Sequence, residues 1–385
     1  MKKPLLSIVV PTKNRYEYLI SLIELLNSFN DSSFEMVIQD NSTDNSPIIN
    51  YLDQHNLPFV KYYYIDAPIP MSTNSDKAIL NSKGDYICFI GDDDGVTPLI
   101  VDVVKWMKAN SVEAVSCRKP IYFWPDVNNS YGVSYAGELT TFEYTGEITK
   151  LSAYDSLIEV IQQGCLTTGR LPMLYNGIVK REVLDKVYAI GGTFFPGSSP
   201  DISNGVCLSL LVDVYYFIDL PIVVIGSSKY RGGGMNMTNN RYPKLEDIPW
   251  LLPNAIMNWD KRLPHLGVVM SIWPDSAIKG LEYMNRVDLV YRIDFEYIYS
   301  RFVAYNFPIR EYAYNLSQHK FKLFIISSSL LFQRLYSAFL RLIKNKFFHS
   351  KVMNGRIELS NIETIKDAVH EVMQLLPPSI LKKIC

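Results

Sequence analysis

Between residues 5 and 118, short apolar β-rich runs alternate with helical patterns, and this alternation constrains the fold more than any other feature of the 385-residue chain. Strands separated by helices make a parallel sheet covered by helices. Residues 5–10 read as a buried first strand, after which Leu19, Leu22, Ile23 and Leu26 recur at helical spacing. A second strand, 34–39, ends against Asp40. Pro47 suits the first turn of the next helix. A strand at 60–65, a helix through Ala78 and a strand at 86–90 follow, and Asp92, Asp93 and Asp94 come directly after that strand. Ligands of open parallel sheets bind outside the carboxyl ends of the strands, so Asp40 and the acidic triplet are expected to face one crevice.

The pattern changes downstream. Tyr, Phe, Thr and Gly become dense over 122–149, which suggests hairpins or an extended loop rather than another strand-helix unit. Residues 151–226 hold a helix at 152–163, a strand at 177–179 and further apolar strands ending near Gly226. The stretch 227–243 contains three consecutive glycines and no apolar periodicity, the composition of a mobile loop. From 246 the chain reads as mostly helical. The expected organisation is therefore a strand-helix segment (1–118), a second segment that includes the loop (119–245) and a helical C-terminal region (246–385).

Composition narrows the function classes. Hydrophobic residues at 48% and charged residues at 20% exclude wholesale disorder and collagen-like repeats. Thirty-eight Lys and Arg against 39 Asp and Glu give no overall pull toward nucleic acid. Any basic surface is local, and 317–351 supplies one: seven Lys or Arg, no acidic residue, and interleaved Phe and Leu. Such a segment fits a helix lying on an anionic membrane, or one packed on the body or on a second subunit, which leaves a homo-oligomer open. Five cysteines without C-x-x-C spacing read as buried thiols in a reducing compartment. The start Met1-Lys2-Lys3-Pro4 runs straight into strand-like sequence, so a cytoplasmic protein, peripheral on the inner membrane face, is expected.

Three adjacent carboxylates at 92–94 repel one another unless a cation sits among them. Mg²⁺ or Mn²⁺ suits that need, bridging carboxylates to a diphosphate. The bland alternative has the aspartates capping a helix that begins near Thr97-Pro98. Asp40, followed by Asn41, Ser42, Thr43 and Asp44, reads either as an Asx turn or as an acceptor for the ring N–H of a nucleotide base.

The segments LSIVVPTKNR (6–15), FEMVIQDNSTD (34–44) and AILNSKGDYICFIGDDD (78–94), in this order, resemble the nucleotide-binding half of inverting glycosyltransferases of family 2, with the GT-A fold. The DNSTD wording and NSDKA (74–78) are similar to bacterial transferases of O-antigen or capsule assembly, including abequosyltransferase-like enzymes. The resemblance implies a Rossmann-like, mostly parallel sheet with helices on both faces. It places Pro11, Thr12, Asn14 and Arg15 around the nucleotide, makes Asp40 the base-binding carboxylate, and sets Asn74 and Lys77 near the ribose or diphosphate. Asp92, Asp93 and Asp94 become the metal and diphosphate motif. Gly91 stands where the commoner D-x-D-D wording begins, so the three aspartates share the assignment.

An inverting transfer needs a base for the acceptor hydroxyl. Asp201, after GSSP and before an apolar helical pattern, is the best match, with a helix cap as its alternative role. Arg231, in the glycine-rich loop, reads either as a group that reaches the diphosphate when that loop closes or as an exposed loop arginine. The reading is a hexosyl-type transferase using a nucleotide-sugar donor, Mn²⁺ or Mg²⁺, and a lipid-linked glycan acceptor. Competing readings are a sugar-phosphate nucleotidyltransferase, against which the missing G-x-G-T-R pattern speaks, and a non-catalytic carbohydrate-binding or assembly protein.

Overall fold

Seven residues of β1 (Leu6–Thr12) put Leu, Ile and Val on both faces and are buried apart from Pro11, the pattern of a central parallel strand. The structure is a computed structural model, and it describes residues 3–127, 135–229, 243–248, 250–305, 309–347, 352–353 and 355–381. α1 (Tyr16–Asn27) buries the Leu19, Leu22, Ile23 and Leu26 stripe. β2 (Phe34–Asp40) is buried throughout, and α2 (Ser46–Gln54), with proline in its first turn, leads to β3 (Val60–Tyr64). α3 (Met71–Asn81) and β4 (Tyr86–Phe89) complete the alternation. β1 pairs in parallel with β2 and β4, and β2 with β3, so their carboxyl ends open on one edge. The register sets Thr12 beside Asp40.

Next come β5 (Gly95–Val96), α4 (Leu99–Ala109), β6 (Ala114–Cys117), β7 (Ile121–Phe123), β8 (Leu139–Phe142) and β9 (Ile148–Ser152). α5 (Ala153–Gln162) is capped by the Ser152 hydroxyl, which accepts the Asp155 N–H. β10 (Ile178–Lys180), α6 (Arg181–Gly191), α7 (Pro200–Ser209), β11 (Val214–Ile218) and β12 (Val223–Ser227) follow. The main sheet has eight strands in the order β3-β2-β1-β4-β10-β6-β11-β9. β10 enters it antiparallel to both β4 and β6, a reversal that strand periodicity does not encode. The aromatic-rich stretch does form an antiparallel pair, β7 with β8, as hairpin composition suggests.

After the short turn Leu245–Asp247 the chain is mainly helical: α8 (Pro253–Met257), α9 (Val269–Tyr283), α10 (Val287–Val290), α11 (Phe295–Tyr305), α12 (Arg310–Leu316) and α13 (Lys320–Phe347). It ends in β13 (Val352–Met353), β14 (Arg356–Leu359), α14 (Ile365–Gln374) and α15 (Pro378–Leu381). β14 pairs with β8 in a second, six-stranded sheet. α14 buries Ile365, Ala368, Val369 and Val372 in the same core as α1 and β1. α14 therefore packs on the N-terminal half rather than on the helices that precede it.

α9 braces α7. Glycine at 280 allows this, because a Cβ there would lie 2.9 Å from the Ser203 carbonyl oxygen. On α13, Leu323 and Leu330 are buried and Leu323 joins Phe302 of α11 in one cluster. Glu296 holds the start of α13 by accepting the Ser317 hydroxyl at 2.7 Å and the Gln318 and His319 N–H groups. Phe321, Phe324, Phe332, Leu335 and Phe339 are exposed. Two of the helix's cations turn to the body: Lys322 pairs with Asp294 at 2.9 Å, and Arg334 donates to the Ala304 carbonyl.

Candidate active site

The chain leaves β1 at Thr12 and β4 at Phe89, and the two ends are joined by a hydrogen bond: the Thr12 hydroxyl donates to Asp92 Oδ2 at 2.7 Å. Arg15, on the short connection into α1, reaches the same place. Its guanidinium lies 3.1 Å from Asp92 Oδ1 and 2.7 Å from Asp93 Oδ2. The cation that the acidic triplet requires is thus supplied, in this structure, by an arginine of the chain itself. Burial works against the Arg15 charge, and the two aspartates outweigh it, raising the guanidinium's pKa. Arg15 also lies 5.2 Å from the centre of the Tyr18 ring, which stacks edge-on against Trp124.

Each aspartate has its own environment. Asp93 Oδ2 also accepts the Ser228 hydroxyl at 2.6 Å, and Ser228 in turn accepts from Arg15 at 2.6 Å. Its carbonyl oxygen takes the Trp124 indole N–H. Asp94 turns away onto the backbone, accepting the N–H of Gly91 and of Gly226, both at 2.8 Å. Burial, with Asp93 beside it, pushes the Asp94 carboxyl up to about 8. Asp92 is pushed to about 7 by burial, against the pull of Arg15. None of the three caps α4, whose first turn has no side-chain cap. Gly226 is forced by this packing, because a Cβ there would stand 1.7 Å from the Asp93 carbonyl oxygen.

Asp40 is fully buried at the end of β2. Its Oδ1 accepts the backbone N–H and the hydroxyl of Ser42, and its Oδ2 accepts the Tyr16 and Tyr62 hydroxyls, each at 2.7 Å. All four acceptor positions of the carboxylate are taken, so a base N–H binds there only by displacing a tyrosine. Asn14 adopts a left-handed backbone, φ +57°, and its side-chain oxygen accepts from Thr43, locking the β1 and β2 loops together. Pro11 lies half-buried in β1. Asn74 donates to the Gln39 carbonyl while its own oxygen is buried without a partner. Lys77 is exposed on the same helix, α3.

Asp201 sits in the first turn of α7, where the Ser199 hydroxyl donates to it at 3.1 Å. Burial raises its pKa. Tyr175 is within the field of both regions: its hydroxyl is held far above the ordinary tyrosine value by the charge of Asp94, by burial, and by Asp93 and Asp201. The structure thus joins Thr12, Arg15, Asp92 and Asp93 by direct contacts, with Asp94 next to them, while Asp201 is linked to them only through its charge on Tyr175. Arg231 and the rest of the glycine-rich loop, 230–242, lie outside the described residues.

Among the described residues no group of three or more His, Cys, Asp or Glu is arranged to hold a metal ion. The donor chemistry nevertheless fits a hard divalent cation at Asp92 and Asp93: Asp92 Oδ1 is buried, accepts no hydrogen bond and faces only the Arg15 charge. Asp94, committed to two backbone amides, is the least suited of the three. Tyr16, Tyr62, Tyr175 and Ser228 carry no motif signal and were found only by the fold. Gly226 was visible merely as the end of an apolar run.

Residues 7–174 match the model of glycosyl transferase family 2. That stretch runs from β1 through the acidic triplet to the residue before Tyr175. The chain is also similar to an Escherichia coli (strain K12) protein named for colanic acid biosynthesis as a glycosyl transferase, WcaA, with 34% identity over 96 residues. That match spans 25% of this chain and about a third, 34%, of the relative's length. Among solved structures, residues 1–349 of Staphylococcus aureus TarS with UDP-GlcNAc have a TM-score of 0.49 and 15% identity, over 84% of this chain and 91% of that one. The mannosyltransferase PcManGT of Pyrobaculum calidifontis with GDP-Man and Mn²⁺ has a TM-score of 0.41 and 14% identity, over 91% and 89%. The architecture is the GT-A type anticipated from the motifs, with a mainly helical C-terminal region.

Proposed function

We propose that the chain is an inverting glycosyltransferase that moves a sugar, of hexosyl type, from a nucleotide-sugar donor to a hydroxyl of a bacterial surface glycan. One observation carries this reading: buried carboxylates paired with Arg15 converge outside the strand ends, beside a tyrosine hydroxyl, that of Tyr175, which also feels the charge of Asp201. A surface polysaccharide as product is supported by the similarity to the colanic acid protein.

Asp201 accepts the proton of the acceptor hydroxyl as its oxygen attacks the anomeric carbon. The bond from that carbon to the diphosphate breaks on the opposite face, and the electron pair leaves with the diphosphate. Burial suits Asp201 to this task by raising its affinity for a proton. Asp92 and Asp93 would hold Mn²⁺ or Mg²⁺, which when bound neutralises charge on the departing diphosphate. Arg15, on the same carboxylates, would add its positive charge toward the diphosphate. Thr12 keeps Asp92 oriented throughout.

A lipid-linked acceptor and docking on an anionic cytoplasmic membrane face are proposed from the acid-free stretch 317–351 and the exposed apolar residues of α13. Among the described residues no helix is long and apolar enough to cross a membrane.

Thermal unfolding with UDP, GDP, CDP or dTDP, each with and without Mn²⁺, tests the central claim. One diphosphate is expected to raise the melting temperature, and more so with metal, because a ligand of the folded state stabilises by mass action. No shift with any of the four would remove the reading.

A further inference from the structure

The turn from Leu174 to Gly177 crosses the carboxyl end of β4 under visible constraint. Tyr175 forms an isolated parallel bridge with Phe89, and the Asn176 N–H donates to the Phe89 carbonyl at 2.9 Å. Asn176 takes a left-handed backbone, φ +58°, and its side chain, 3% exposed, has an oxygen without a partner. Gly177 is obligatory, because a Cβ there would lie 2.1 Å from the Met173 carbonyl oxygen. Backbone in this region persists only where the surroundings impose it, and such strain gathers at functional sites.

What the turn delivers is one hydroxyl. The point where a Cβ on residue 91 would stand lies 3.4 Å from Tyr175 Oη, 2.9 Å from Asp93 Oδ1 and 3.3 Å from Asp94 Oδ2. The hydroxyl therefore lies beside the acidic triplet, and a side chain at 91 would crowd it against Asp93 and Asp94. Its ring packs on Phe89, with centroids 5.8 Å apart, so its direction is set by the strand. Asp201 acts on the same hydroxyl through its charge.

An in-line displacement puts the leaving diphosphate and the attacking oxygen on opposite sides of the anomeric carbon. With the diphosphate at residues 92–94 and the base at Asp201, a hydroxyl beside the first and within the field of the second faces the sugar being transferred. We propose that Tyr175 is a sugar-recognition residue, its hydroxyl donating a hydrogen bond to an oxygen of the transferred sugar. This rests on the transferase reading above.

The test is Tyr175→Phe, which keeps the ring packing and removes only the donor. Calorimetric affinities of wild type and variant are compared for UDP-, GDP-, CDP- and dTDP-linked hexoses and for the matching free diphosphates. In the wild type the preferred nucleotide sugar binds tighter than its free diphosphate. The variant keeps the diphosphate affinity and loses about three- to tenfold on the nucleotide sugar, the size of one net hydrogen bond, with a similar loss in kcat/KM. Unchanged affinity for both ligands with unchanged turnover overturns the proposal. An equal loss for both overturns it too, since the tyrosine would then be shaping the carboxylates. Should the wild type bind none of these ligands, the transferase reading fails first, and that result is distinct from either of the others.

Discussion

Arg15→Met removes the one cation between two buried carboxylates and keeps most of the side-chain volume. The Arg15 side chain is 18% exposed and those of Asp92 and Asp93 are 2% and 7%, so solvent screens the pairs weakly. At contact distances of 3.1 and 2.7 Å the Coulomb attractions are roughly 5 and 6 kcal/mol at an effective dielectric near 20. Desolvation offsets much of this in the intact protein, but stripping one partner from a buried pair leaves its charge uncompensated, a loss of about 3–5 kcal/mol. At about 2–4 °C per kcal/mol for a unit of 150–250 residues, the melting temperature should fall by roughly 6–20 °C near pH 8.

The loss should be smaller near pH 5. Asp92 and Asp94 are harder to ionise folded than unfolded, with values of about 7 and 8 against an ordinary 3.8. Between those limits the folded chain holds more protons, so stability declines as pH rises through that window. Near pH 5 the Asp92 carboxyl is already protonated and has less need of the arginine. Differential scanning calorimetry at the two pH values reads both effects. A variant melting within about 2 °C of wild type near pH 8 would refute the claim that Arg15 holds the triplet together.

Asp201→Asn should abolish transfer by at least about 100-fold while leaving protection by the preferred diphosphate intact; full turnover reassigns the base. Gly226→Ala should destabilise by several kcal/mol, about 3 or more, and weaken diphosphate binding, since a Cβ 1.7 Å from the Asp93 carbonyl forces the backbone of the triplet to move. Soluble expression with wild-type urea stability contradicts that. Phe332→Glu with Phe339→Glu, both on exposed positions of α13, should release the protein from phosphatidylglycerol vesicles in a sedimentation assay without shifting its melting temperature. Undiminished partition leaves the helix to another partner. Truncation at 317 is a poorer experiment, because it removes α14 from the core it shares with α1.

The strand-helix alternation up to residue 118 was legible because apolar spacing repeats locally and each buried strand announces itself by its own composition. Apolar spacing within a segment likewise located α5, expected at 152–163 and found at Ala153–Gln162, and marked the buried stripe of α1. The arrangement of α14 was not, since its four buried residues, Ile365, Ala368, Val369 and Val372, indicate an amphipathic helix without naming the surface it covers. The insertion of β10 antiparallel between β4 and β6 is likewise invisible in a three-residue strand.

At the site, the need for a positive charge among Asp92, Asp93 and Asp94 follows from three neighbouring carboxylates, wherever the chain folds. The identity of the charge does not. Only the parallel pairing of β1 with β4 brings Arg15 across 77 residues of sequence to Asp92, and only the turn at 174–177 sets the Tyr175 hydroxyl beside those carboxylates. Local residue chemistry sets what a segment requires, whereas the group that meets the requirement is chosen by contacts between segments far apart in the chain, and those exist only once the sheet has formed.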